Sequence, residues 1–308
     1  MSDGPRAYLS VQSGVDGLDA ETGETLWEFD VRNLGFSIPG TVLVGERLLV
    51  RWAEILHGLR GIDGAELWRN EFPEWESSFR LVSDGDGGVY VSAENELARI
   101  DPATGAIRWQ RDLAGKGELV LAAGSGVVCS RRVPIVTVAC YAGSDGALLW
   151  EIAQLEIAAG AGSRIVGERL VVEVDGVWIG LDLETGVELW RRSEPMPPLG
   201  RSASRSGVLC ACRDDCLALR ASDGAILWRV TFEGASIPTP SADFVFVVAL
   251  EEDGQTRRGR LYVLDPVSGN PVDGIDPEEG NGFGSILDYE GGRLFISTRE
   301  DVRAYRYP

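Results

Sequence analysis

The chain has 308 residues, 44% of them hydrophobic, and a formal net charge of −19 from 48 acidic against 29 basic residues. That balance repels phosphate backbones and anionic lipid surfaces, which argues against nucleic acid as a partner, and nothing approaches the run of about 18 apolar residues that a membrane-spanning helix needs. With one histidine, His57, and one lysine, Lys116, a multi-histidine zinc site, a hydrolase triad and Schiff-base chemistry have almost nothing to work with.

At the start, MSDGPRAYLSVQSG lacks the basic segment and apolar run of a secretory signal, so the cytoplasm is the expected compartment. AYLSVQSGVDGLDAETGETLWEFD then reads as three strands with a turn at Gly23 and a Trp four residues on, Trp27. The same phrase recurs in RGIDGAELW (Gly64, Trp68), IDPATGAIRW (Gly105, Trp109), AGSDGALLW (Gly146, Trp150), LDLETGVELW (Gly186, Trp190) and RASDGAILW (Gly224, Trp228). LDPVSGNPVD keeps Gly269 but has Asp273 in the Trp position. Successive Trp residues lie 41, 41, 41, 40 and 38 positions apart, a spacing that belongs to a propeller blade rather than a helical solenoid repeat. Between the signatures run alternating segments such as RLLV, GVYVSA and RLVVEV, punctuated by Gly, Asp and Ser, so each unit is expected to be a four-stranded antiparallel meander. GSILDYEGGRLFISTREDVRAYRYP ends the chain with three strands of a further unit. Eight blades are expected if the two terminal pieces are separate sheets, and seven if LWEFD completes the last one; either way residues 1–308 form one domain.

The turns come in two chemical versions. Where Thr or Ser precedes Gly, as at Thr22, Thr104, Thr185 and Ser268, an Asp stands four positions before that Gly (Asp19, Asp101, Asp182, Asp265); where Asp63, Asp145 or Asp223 precedes Gly, that earlier Asp is missing. One local acceptor is thus expected to replace another in satisfying the turn backbone.

The D-x-x-[TS]-G-x-x-x-W phrase resembles the tryptophan-docking repeat of quinoprotein-type propellers, over about residues 7 to 308. The resemblance implies a quinoprotein alcohol dehydrogenase-like fold in which Trp27, Trp68, Trp109, Trp150, Trp190 and Trp228, with the turn glycines Gly23, Gly64, Gly105, Gly146, Gly186, Gly224 and Gly269, pack blade on blade. Catalytic relatives use pyrroloquinoline quinone (PQQ) with Ca²⁺, a catalytic Asp and often adjacent cysteines in a disulfide. This chain has no adjacent cysteine pair and no Asp that the motif carries over, so neither cofactor, metal nor catalytic residue is expected, and a divergent PQQ oxidoreductase is the weaker reading.

Binding is the stronger one. Arg80, Arg164, Arg201 and Arg205, with Glu118, fall near the start of units, where a central channel would gather guanidinium groups around a small anionic ligand. Trp52, Trp75 and Trp178 lie outside the repeat positions and are candidate anchors for another protein, as are the connections at 193–201 and 251–260. His57 is expected in an exposed hairpin connection. Cys129, Cys140, Cys210, Cys212 and Cys216 are expected to be reduced, although Cys212 and Cys216 should meet across a hairpin. The function expected is a non-enzymatic interaction or scaffold propeller within a larger cytoplasmic assembly, the alternative being a sensor of a small anion.

Overall fold

The computed structural model describes residues 6–11, 14–31, 40–72, 80–93, 96–113, 119–132, 137–153, 162–232, 234–241, 243–253, 256–275, 286–290, 292–297 and 302–307. Among them there are eight antiparallel sheets and no α-helix, so no helix is long and apolar enough to cross a membrane.

Sheet 1 holds β1 (Arg6–Val11), β2 (Gly14–Asp19) and β3 (Thr25–Asp30). Sheet 2 holds β4 (Gly40–Val44), β5 (Arg47–Trp52), β6 (Ile55–Arg60) and β7 (Glu66–Glu71); sheet 3 holds β8 (Arg80–Ser83), β9 (Val89–Ala93), β10 (Glu96–Ile100) and β11 (Ile107–Asp112). Sheet 4 is β12 (Leu119–Gly124), β13 (Val127–Arg132), β14 (Thr137–Ala142) and β15 (Leu148–Ala153). Sheet 5 is β16 (Ser163–Val166), β17 (Arg169–Val174), β18 (Val177–Asp182) and β19 (Glu188–Arg192), and sheet 6 is β20 (Ser202–Arg205), β21 (Val208–Cys212), β22 (Asp215–Arg220) and β23 (Ile226–Thr231). Sheet 7 is β24 (Thr239–Pro240), β25 (Val245–Asp253), β26 (Thr256–Leu264) and β27 (Pro271–Ile275), and sheet 8 is β28 (Ile286–Glu290), β29 (Arg293–Ser297) and β30 (Val302–Arg306). Every sheet is a meander in chain order. Six have four strands and the two terminal ones have three; LWEFD is β3, paired with its own predecessor β2, so the terminal pieces are separate sheets.

The chain divides into two compact units, residues 1–155 with sheets 1 to 4 and residues 156–308 with sheets 5 to 8. Within the first, β4 lies against β8 and β8 against β12; within the second, β16, β20, β24 and β28 follow one another in the same way. The first strand of each of these sheets is therefore its innermost and the last its outermost. The core is a series of apolar layers between consecutive sheets: Tyr8, Val15, Leu48 and Val50 between sheets 1 and 2, Leu56, Val89 and Val91 between 2 and 3, Leu209, Leu217 and Leu219 between 5 and 6. Each sheet leaves both faces apolar over its inner strands and needs a neighbour on each to bury them.

The repeat residues make the junctions. The Nε1 of Trp27 donates to the carbonyl of Gly61 at 2.9 Å, that of Trp68 to Pro102 at 3.1 Å and that of Trp109 to Gly143 at 2.8 Å. In the second unit Trp190 donates to Ala221 at 2.8 Å and Trp228 to Pro266 at 3.0 Å. In all five the acceptor is the residue three before the next sheet's turn Gly, and the ring lies on that glycine: a Cβ on Gly224 would stand 2.6 Å from Trp190 Cδ2. Trp150 is buried, as are Trp27, Trp190 and Trp228, while Trp68 and Trp109 are partly buried.

Within the turns Asp19 Oδ1 accepts from the backbone N–H of Glu21 and Thr22, both at 2.8 Å, while Thr22 Oγ1 accepts from Glu24 N–H at 3.2 Å. In the other version Asp63 Oδ1 takes over the Thr position and accepts from Ala65 N–H at 3.1 Å, as Asp145 does from Ala147 at 2.9 Å and Asp223 from Ala225 at 3.0 Å. The anticipated exchange of acceptors is what the structure has, with an addition: Arg60 and Arg220 occupy the missing Asp position and pair with Asp63 and Asp223.

Candidate functional site

Of the four candidate arginines, Arg80 is in the first unit and Arg164, Arg201 and Arg205 are in the second. Arg80 opens β8 in the first unit, is exposed, and lies close enough to Arg131 on β13 that, after burial, its charge helps push the Arg131 pKa down. In the second unit Arg164 on β16 is half-buried and folded onto backbone: Nη1 donates to Ser163 O at 2.9 Å, Nη2 to Ser202 O at 3.0 Å and Nε to the same oxygen at 3.3 Å. Burial also lowers its pKa. Its donors clamp β16 to β20, so they are engaged by the protein itself. Arg205 ends β20 and is exposed, and Arg201 closes a 3₁₀ turn, Leu199–Arg201, its side chain lying outside the described residues, as does Glu118.

Two of the three candidate partner anchors are core. Trp52 is 2% exposed and Trp178 0%, so neither reaches a partner from the surface. The reason is strand alternation: Leu48, Val50 and Trp52 share one face of β5, and that face is buried. Trp75 lies outside the described residues. The segment at 251–260 belongs in part to the long hairpin of β25 and β26, with Glu251 opposite Arg258, and the segment at 193–201 is held by Glu173, whose Oε2 accepts from Leu199 N–H at 2.8 Å.

Two further expectations are corrected. His57 is in the middle of β6, 4% exposed, with Nδ1 3.0 Å from Glu66 Oε1 and its ring edge-on to Phe29. The glycine beside it looked like a turn signal, but Gly58 is opposite Trp68 and leaves room for that ring, which a Cβ would overlap. Four of the five cysteines are in disulfides, Cys129 with Cys140 and Cys212 with Cys216, because each pair stands directly opposite across a hairpin. Cys210 is the free one, and burial pushes its thiol pKa up to about 12.

What sequence reasoning missed lies on the outermost strands. Leu26 on β3 is 50% exposed, Leu67 on β7 41%, Ile107 on β11 44%, Leu148 on β15 54%, Leu189 on β19 46% and Val272 on β27 54%. Part of the signal was present: Leu26, Leu67 and Leu189 directly precede Trp27, Trp68 and Trp190 and are each the extra residue of a β-bulge, whereas Ile107 and Leu148 stand two before their Trp. Each of these strands ends its sheet, so one row of its N–H and C=O groups has no neighbouring strand within the sheet. Arg111 and Arg192, two residues after their Trp, went unread as well; their Nε atoms donate to the carbonyls of Gly146 at 2.9 Å and Gly224 at 2.6 Å.

Two comparisons with known proteins place this architecture. The family model described as outer membrane protein assembly factor BamB matches residues 11–128 and 93–214, together about two thirds of the chain. No curated protein matches. Among solved structures, BamB from Moraxella catarrhalis aligns over 98% of this chain and 94% of its own, at 15% identity and TM-score 0.58. The computationally designed Ika8 protein aligns over 99% and 94%, at 16% identity and TM-score 0.75. The dihydro-heme d1 dehydrogenase NirN, in complex with DHE, aligns over 99% and 72%, at 15% identity and TM-score 0.71. At such identities the likeness to solved structures carries the fold alone, whereas the family match covers most of the repeats. The chain is an all-β propeller and belongs to the PQQ-like family described as outer membrane protein assembly factor BamB.

Proposed function

We propose that this protein is a non-enzymatic scaffold propeller, a subunit of a larger assembly that holds an extended segment of a partner protein against the outermost strands of its blades. The observation that carries this is the apolar side chain, 41–54% exposed, on the outermost strand of six sheets. An edge strand with exposed Leu is the surface on which a partner strand adds, main chain to main chain, with alternate side chains reading the apolar positions. A net charge of −19 favours a partner segment that alternates apolar with basic residues. The description of the family as an assembly factor agrees with this role.

The fold by itself does not separate binding from catalysis, since NirN is a dehydrogenase. Among the described residues no group of three or more His, Cys, Asp or Glu is placed to hold a metal ion. The channel-sensor reading is weakened because the Arg164 donors are taken by Ser163 and Ser202. Cytoplasmic residence stays a proposal that the two disulfides weigh against, and the thiols test it: recovery from the native cell with five free thiols supports it, and recovery with one contradicts it, because disulfides persist in oxidising compartments.

The scaffold reading is tested by Leu67→Asp combined with Leu148→Asp. Both sites are exposed, so the thermal midpoint should hold, while affinity for a co-purified partner should fall at least tenfold, about 1.4 kcal/mol. Undiminished affinity would remove the outer strands from the interface.

A further inference from the structure

Between sheets 6 and 7 of the second unit lies a cleft of about 340 Å³ whose lining divides by chemistry. Val208 and Cys210 on β21, Leu227 on β23 and Val245 on β25 make an apolar wall, continued by Pro240 and Val267. Arg205 and Arg220 also line it. Arg205 is exposed and, among the described residues, pairs with no carboxylate; Arg220 spends Nη1 on Asp223 Oδ2 at 2.9 Å. The hairpin turn after Arg205 has two left-handed residues, Ser206 at φ 50° and Gly207 at φ 78°, the tight two-residue form that holds the end of β20 in one geometry.

We propose that this cleft binds a small monocarboxylate with an apolar body, the body against Val208, Leu227 and Val245 and the carboxylate on Arg205. Size and charge select that class. An apolar cavity of about 150 Å³ accommodates benzene, so this cleft suits about two fused rings or a chain of about eight carbons, near the lower limit of ligand sites. A neutral ligand would leave the guanidinium unused, and a phosphate monoester would lack the second unpaired cation its charge calls for, since Arg220 is already paired with Asp223. The cleft shares no residue with the outer-strand positions assigned to the partner, so neither proposal depends on the other.

The test titrates the full chain with 1-naphthoate and with the neutral 1-naphthylmethanol, by calorimetry, for the parent, Arg205→Ala and Leu227→Trp. Naphthoate should bind the parent more tightly than the alcohol. Arg205→Ala should weaken naphthoate about fivefold, the yield of an exposed charge pair, and leave the alcohol unchanged. Leu227→Trp fills the cleft and should abolish both. Should that variant fail to fold, Val267→Asp is the substitute: Val267 is exposed at the rim of the cleft, and a carboxylate there should weaken naphthoate and spare the alcohol. No naphthoate binding at millimolar concentration, equal loss of both ligands in Arg205→Ala, or undiminished naphthoate binding in Val267→Asp would each overturn the site.

Discussion

At the scale of the residue, one indole performs two tasks. Trp68 covers Gly58 of its own sheet and Gly105 of the next, and its N–H donates to the turn carbonyl of Pro102. Gly58→Ala places a methyl group into that ring and should cost about 1–3 kcal/mol, the range of overpacked cores, read as a lowered urea midpoint. Trp190→Ala should cost about 3–5 kcal/mol in the same measurement. The turn aspartates add a pH dependence. Asp182 is held below the usual carboxylate range, first by the Thr185 hydroxyl, and Asp265 by the backbone N–H of Ser268. A folded pKa below the unfolded one gives stability that is complete above the ordinary carboxylate value and lost as pH falls through the folded one. Asp182→Ala should therefore lower the urea midpoint at pH 7, and the gap from the parent should narrow by about pH 3. An equal gap at both pH values would deny the carboxylate this role. The turn chemistry was legible in the sequence because its partners are two to four residues apart. His57 was not, because a glycine that makes room for a ring on another strand looks the same as one that makes a turn.

At the scale of the element, the outer strand carries the functional proposal and the inner strands carry the fold. Strand alternation was enough to predict meanders, and applied to β5, where Leu48, Val50 and Trp52 share one face, it would also have placed Trp52 inside; in β18 Trp178 alternates with Gly180 and Asp182, which gives no such signal. Arg164 was misread for a different reason: the sequence puts it at the start of a unit, but whether its donors face a ligand or the next strand's carbonyl depends on how two sheets pack, and here they face Ser202. Exposure of Leu26, Leu67 and Leu189 likewise depends on what covers the last strand, which no local pattern states. An added strand should be visible directly. Backbone amides of β7 and β15 should exchange more slowly with deuterium when partner is bound, and unchanged exchange there would place the interface elsewhere.

At the scale of the whole molecule, the repeat made the architecture readable from spacing alone, whereas the partner is written in no repeat. The single-domain expectation for residues 1–308 predicts one cooperative thermal transition; two separated transitions, following the division at residue 155, would contradict it. The central claim is that a partner protein occupies the outer strands, and affinity purification of the tagged protein from its native cell, with crosslinking and mass spectrometry, tests it most directly. With Lys116 the only lysine, the crosslinker should be one that reacts with carboxylates. The account predicts a stoichiometric partner whose crosslinks fall on the acidic residues beside the exposed apolar positions, such as Glu66, Glu71 and Glu188, and which is lost from the Leu67→Asp, Leu148→Asp variant. A protein recovered alone, or a partner that the variant retains in full, would contradict it.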